Sequence, residues 1–137
     1  MSELERAAAA ELGGIAPATG AHDQNTHVAN AYRLANRYGH GLLYVEGIGW
    51  HTWGPPWRHD ELGALRMAQG LGRIIADEAA AMAPWVAQAK DKDERVRREK
   101  AMANRFKWAT YSESAANIEA SLRTARTMLA CKAEEMD

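Results

Sequence analysis

Through most of the chain apolar positions return every three or four residues, the spacing that lines one side of an α-helix. The first such run follows Thr26: Val28, Ala31, Tyr32, Ala35 and Tyr38 predict a short helix, with Asn25 or Thr26 as its cap and Gly39 as its stop. A different pattern comes next. "GLLYVE" and "WHTW" are aliphatic and aromatic, suited to pleated strands, and the glycines of "GIG" between them allow a tight reversal. A β-hairpin is predicted there, packed on helices because a lone two-stranded ribbon is marginal in water. Trp50 and Trp53 differ by three positions, so in a regular strand they point to opposite faces.

The stretch "GPPWRHD" reads as a turn that delivers Asp60 as a helix cap with Glu61 in the first turn. Beyond it, Ala64, Met67, Ala68, Leu71, Ile74, Ile75, Ala79, Met82 and Trp85 share one face and predict a long amphipathic helix over residues 61–86. Gly63, Gly70 and Gly72 weaken that helix, and Pro84 predicts a kink or break near residue 83. "KDKDERVRREKAMANRFKW" predicts a charged helix in which Val96, Ala103 and Phe106 form a thin apolar line, leaving Arg98 and Arg105 on the opposite, outward side. Thr110 and Glu113 have the spacing of a capping box, and Ala115, Ile118, Leu122, Ala125, Leu129 and Met136 predict a final helix with a core face.

The small and polar residues of positions 1–25 predict a flexible N-terminal arm, leaving residues 26–137 as one domain. The expected class is mainly α: a helical bundle with a small β-hairpin in its N-terminal half.

Composition narrows this picture more than it redirects it. The 137 residues suit one domain, and a formal charge of -1 points to no partner by global electrostatics. Cys131 is the only cysteine, which excludes an internal disulfide and fits a reducing cytoplasm. No apolar run approaches the ~18 residues of a membrane span, so a soluble, cytoplasmic protein without membrane contact is expected. Phosphate-binding and dinucleotide-binding glycine motifs are lacking, serine has no matching base, and His22, His27, His40, His51 and His59 are scattered. No enzyme, cofactor or metal site is expected.

Local charge is more informative. Between residues 90 and 107, Lys90, Lys92, Arg95, Arg97, Arg98, Lys100, Arg105 and Lys107 outnumber Asp91, Asp93, Glu94 and Glu99, in a chain otherwise slightly acidic. A run of mixed charge is ordinarily a solvated helix face. An excess of cations also suits a polyanion, because lysine and arginine that neutralise phosphates release condensed counterions. The candidate nucleic-acid contacts are Arg97, Arg98, Lys100, Arg105 and Lys107, with Phe106 or Trp108 nearby as a residue on which an unpaired base can stack, Trp108 being preferred. Trp50, Trp53, Trp57 and Trp85 invite a similar reading, but at hairpin and helix spacing such residues more often belong to the core.

The order of features carries a resemblance. "NTHVANAYRLANRYGHGLLYVEGIGWHTWGPPWRHDE", a long helix, a charged helix and "FKWATYSESAANIEASLRTARTML" together resemble the N-terminal-like helical domain of phage and plasmid primase-helicases, a family shared with the poxvirus primase-helicase. Tyr44, Trp50, Trp57 and Asp60 match its tyrosine and spaced tryptophan–aspartate pattern, and Lys107, Ser112, Ile118 and Ala125 match its lysine-led, serine-capped helix. The resemblance implies a helical module between a primase or polymerase core and a helicase, assisting primer synthesis by contacting single-stranded template DNA or nucleotide. The chain has neither primase carboxylates nor a helicase phosphate loop, so any primase or helicase activity is expected in another polypeptide segment. Two functions follow as expectations. One is a replication accessory domain that binds single-stranded DNA, with the primase or helicase protein of the same system as a further partner. The other is a protein-interaction module that captures a host or phage replication protein through alanine-faced helices or the tryptophan ribbon.

Overall fold

The computed structural model describes residues 24–135. The expected arm therefore lies, as far as residue 23, outside the described residues, as does Met136. Helix α1 (His27–Tyr38) is capped by Thr26, whose hydroxyl accepts the Ala29 N–H at 3.0 Å, and it stops at Gly39. Its buried residues are Ala29, Asn30, Ala31, Arg33 and Leu34; of the predicted line Ala31 is among them, Tyr38 packs half-buried against the core, and Val28 is exposed. Two polar side chains displace the apolar ones because they have fixed partners inside the bundle.

Strands β1 (Leu42–Val45) and β2 (Gly49–Trp53) form the predicted hairpin, with Tyr44 opposite Trp50 and Val45 opposite Gly49. The reversal uses Gly47, whose φ of 80° is accessible to glycine at little cost. The ribbon is larger than a hairpin. Trp57–His59, expected as a turn, pairs antiparallel with β2 as β3, and Ala130–Cys131 pairs parallel with β1 as β4, giving the order β3-β2-β1-β4.

The expected long helix is divided twice. It forms α2 (Glu61–Gln69) and α3 (Leu71–Ala80), which meet at Gly70, followed by the short α4 (Ala83–Ala87) with Pro84 in its first turn. The break beside Pro84 lies where its missing N–H predicts one. The earlier break falls on glycine, where an added Cβ would come within 3.3 Å of the Tyr38 hydroxyl, a tight contact. Asp60 caps α2 as expected, accepting the Gly63 N–H and the Thr52 hydroxyl at 2.8 Å each. Those bonds, the Thr52 one foremost, hold its carboxyl below the usual aspartate range.

Helix α5 (Lys92–Tyr111) follows, capped by Asp91, and then α6 (Ala115–Ala125). The cap of α6 is Ser114 rather than Thr110, which is still inside α5. Helix α6 ends at Ala125, sooner than the stripe through Leu129 predicts, because the chain leaves it to join the sheet. There the Leu129 carbonyl accepts the Tyr44 N–H at 2.8 Å, which starts β4 beside β1.

The core joins Leu34 of α1, Leu42 and Trp50 of the sheet, Ala64, Ala68, Leu71 and Ile75 of α2 and α3, and Ile118, Leu122 and Ala125 of α6. Alanine recurs at the helix contacts, so the helices approach closely and Trp50 supplies most of the large aromatic surface at the sheet end. Its ring meets Tyr44 edge-on, with centroids 5.1 Å apart. The fold is thus mainly α with a small sheet, and the helices hold α5 along one side of it.

Candidate nucleic-acid interface

Helix α5 carries the candidate cations, and its orientation is inverted from the expectation. Val96 is 55% exposed, with Ala103 and Phe106 also facing solvent, whereas Arg98 is only 6% exposed. Three contacts explain why an arginine lies inward. The guanidinium of Arg98 pairs with Glu94 one turn earlier, donates to the Trp85 carbonyl and lies over the Trp85 indole at 4.8 Å. A planar, weakly hydrated cation stacked on an aromatic face and bonded at its edge is buried far more readily than an ammonium.

Arg105, two turns along, also points into the bundle. It donates to Glu78 of α3 at 2.9 Å and to Asn25 at 2.7 Å. Glu78 in turn accepts both arms of Arg33 at 2.8 Å, so one carboxylate joins cations of α1 and α5. Arg33 reaches Asn30, whose oxygen also accepts the Trp108 indole N–H at 3.0 Å and whose nitrogen donates to Ser112 and Ser121. All four hydrogen-bonding positions of the buried Asn30 amide are therefore used. Arg98, Arg105 and Trp108, three of the predicted contact residues, are committed to holding α5 in place.

The remaining three lie elsewhere on the helix. Arg97, Lys100 and Lys107 are exposed, and among the described residues none is in a salt bridge. Their spacing is helical: Arg97, Lys100, Asn104, Lys107 and Tyr111 follow one another at three- and four-residue steps and all face solvent. The line is about 21 Å long at the α-helical rise. Asp93 precedes it by about one turn on the same side.

Tyr111, which sequence reasoning did not single out, ends this line and is 57% exposed. Its ring lies 5.3 Å from that of Trp108, tilted by 34°, and Trp108 lies 5.6 Å from His27. The signal for Tyr111 was present in its place four residues beyond Lys107. The inward role of Arg98 was signalled by Glu94, four residues before it.

A second aromatic feature lies on the sheet. Trp50 is buried at 4% exposure while Trp53, on the opposite face of the same strand, is 48% exposed, as the strand period requires. Trp53 meets its cross-strand partner Trp57 edge-on at 5.3 Å. Among the described residues no helix is long and apolar enough to cross a membrane.

Comparison with curated proteins and with solved structures gives no match. A family model does: residues 31–137 match the one described as D5 N terminal like, which takes in the hairpin, the divided helix, α5 and α6. The chain belongs to this D5 N-terminal-like family, the accessory N-terminal domain type of phage and poxvirus primase-helicases.

Proposed function

We propose that this domain serves a phage-type DNA primase-helicase system by binding single-stranded DNA, assisting primer synthesis or template handling without catalysis of its own. The observation that carries the reading is the line of Arg97, Lys100 and Lys107, exposed and without salt bridges among the described residues, along one rigid helix. Cations held on a helix cost little further ordering when they meet phosphates, and each contact releases counterions. Membership of a primase-helicase family supplies the nucleic acid such a line would meet. The primase or helicase segment of the same system is the natural protein neighbour.

The test is titration of a fluorescent single strand with the protein at increasing salt. Single-strand binding falls by about 0.7 in log K per phosphate per decade of salt, so three contacts predict a slope of about -2. Absence of binding at low salt, or affinity indifferent to salt, refutes the reading.

The Trp53–Trp57 pair, with Trp53 exposed and Trp57 half-buried, favours a second reading, capture of a replication protein through the ribbon, since paired indoles at a surface suit a binding hot spot. Recovery of a stoichiometric partner after nuclease treatment, lost in a folded Trp57→Ala variant, would move the function there.

A further inference from the structure

The geometry points to Tyr111 as a stacking platform for one unpaired base at the end of the cation line, an inference that rests on the single-strand reading above. The other candidate aromatic, Trp108, is half-buried: its ring has His27 and Tyr111 as neighbours at 5.6 and 5.3 Å, and its N–H is bonded to Asn30. Tyr111 has the opposite character. One side of its ring is backed by Trp108 and more than half of the residue is open to solvent.

Its support is rigid at three points. The Asn117 amide nitrogen donates to the Tyr111 carbonyl at 2.9 Å and its oxygen accepts from His27 Nε2 at 2.9 Å, so one buried residue fixes both the Tyr111 backbone and the orientation of the His27 ring. Asn30 fixes the Trp108 ring. A tyrosine held this way loses little conformational freedom when a flat ligand covers it. An isolated exposed tyrosine lacks that advantage.

Position supplies the ligand's chemistry. Lys107 is four residues before Tyr111 on the same side of α5, so a phosphate at Lys107 places the adjoining nucleotide within reach of the ring. From Lys107 the remaining line through Lys100 to Arg97 leads away for about 15 Å, enough for a few nucleotides of extended strand. The phosphates thus give affinity that depends on salt, and the ring gives affinity that depends on the presence of a base.

The two contributions separate in one experiment. Wild-type protein is titrated into a labelled oligothymidylate and into an abasic phosphodiester strand of equal length, across a salt series. The expected result is tighter binding of the base-bearing strand by about fivefold to a hundredfold, with equal salt slopes for both. Tyr111→Phe keeps the preference; Tyr111→Ala removes it and leaves the salt slope unchanged. Equal affinity of the wild type for both strands, with salt-dependent binding intact, overturns the platform and spares the cation line. Binding of neither strand overturns both. The wild-type comparison decides the matter even if a Tyr111 variant does not fold.

Discussion

Arg97 and Arg98 are neighbours in the chain and stand about 100° apart around α5, yet one lies in water and the other is buried on an indole. The same contrast separates Lys100 and Lys107 from Arg105, and, on the sheet, Trp53 from Trp50. In each case residue type says little and the face says nearly everything. Inward members meet a partner placed by another element: Glu78 of α3 for Arg105, the Trp85 carbonyl for Arg98, Tyr44 for Trp50. The outward cations of α5 have no such ion-pair partner among the described residues, and Trp53 meets the half-buried Trp57 across the strand. The inward set determines whether the helix exists in this position, and the outward set determines what the helix can meet.

Removing Glu78 is the strongest way to probe the inward set. Glu78→Ala leaves Arg33 and Arg105 together without their shared carboxylate, and breaking a buried pair from one side costs about 3–5 kcal/mol. Chemical denaturation should show this loss. Glu78→Gln, which keeps hydrogen-bond acceptance and loses the charge, should fall between that variant and the wild type. A midpoint unchanged in Glu78→Ala would mean that the inward cations do not hold the bundle, and the division between the two faces would lose its physical basis.

The sheet offers the same contrast without charge. Trp50→Ala opens a cavity at the end of the core and should cost about 3–5 kcal/mol. Trp53→Ala, on the solvent face of the same strand, should change stability by about 0.5 kcal/mol or less. Similar losses from both would show that Trp53 also belongs to the packed interior.

These pairs also mark where the chain was legible from sequence. The alternation of a strand told Trp50 from Trp53, and the cap geometry of Asp60 and the break beside Pro84 followed from local chemistry. Local rules act over a few residues and were sufficient there. The orientation of α5 was missed because it depends on partners distant in sequence: Glu78 and Asn30 lie 27 and 78 residues from the α5 side chains they hold. A hydrophobic pattern assigns arginine to water and alanine to the core, so it turned Val96 and Ala103 inward and Arg98 outward. Burial of Arg98 instead follows from pairing and stacking, which neutralise and cover the guanidinium. Likewise β3 and β4 are too short to carry a pattern of their own, and exist because β2 and β1 present open edges to them.

The smallest effect on folding belongs to the outward set, and it is the sharpest test of the contrast. Replacing Arg97, Lys100 and Lys107 together by alanine removes exposed cations without salt bridges among the described residues. Each substitution should shift stability by about 0.5 kcal/mol or less, with alanine's helix propensity offsetting any loss. Binding should respond differently. With the three phosphate contacts gone, the log–log salt slope for single-stranded DNA should rise from about -2 toward zero and affinity at low salt should collapse. Thermal melting and anisotropy titration on the same preparations compare the two responses directly. A stable variant that binds with the wild-type slope would place the phosphate contacts elsewhere, whereas a variant that unfolds would show that the outward face carries structure as well. Loss of binding with folding preserved is the result expected if α5 divides its cations between the two tasks.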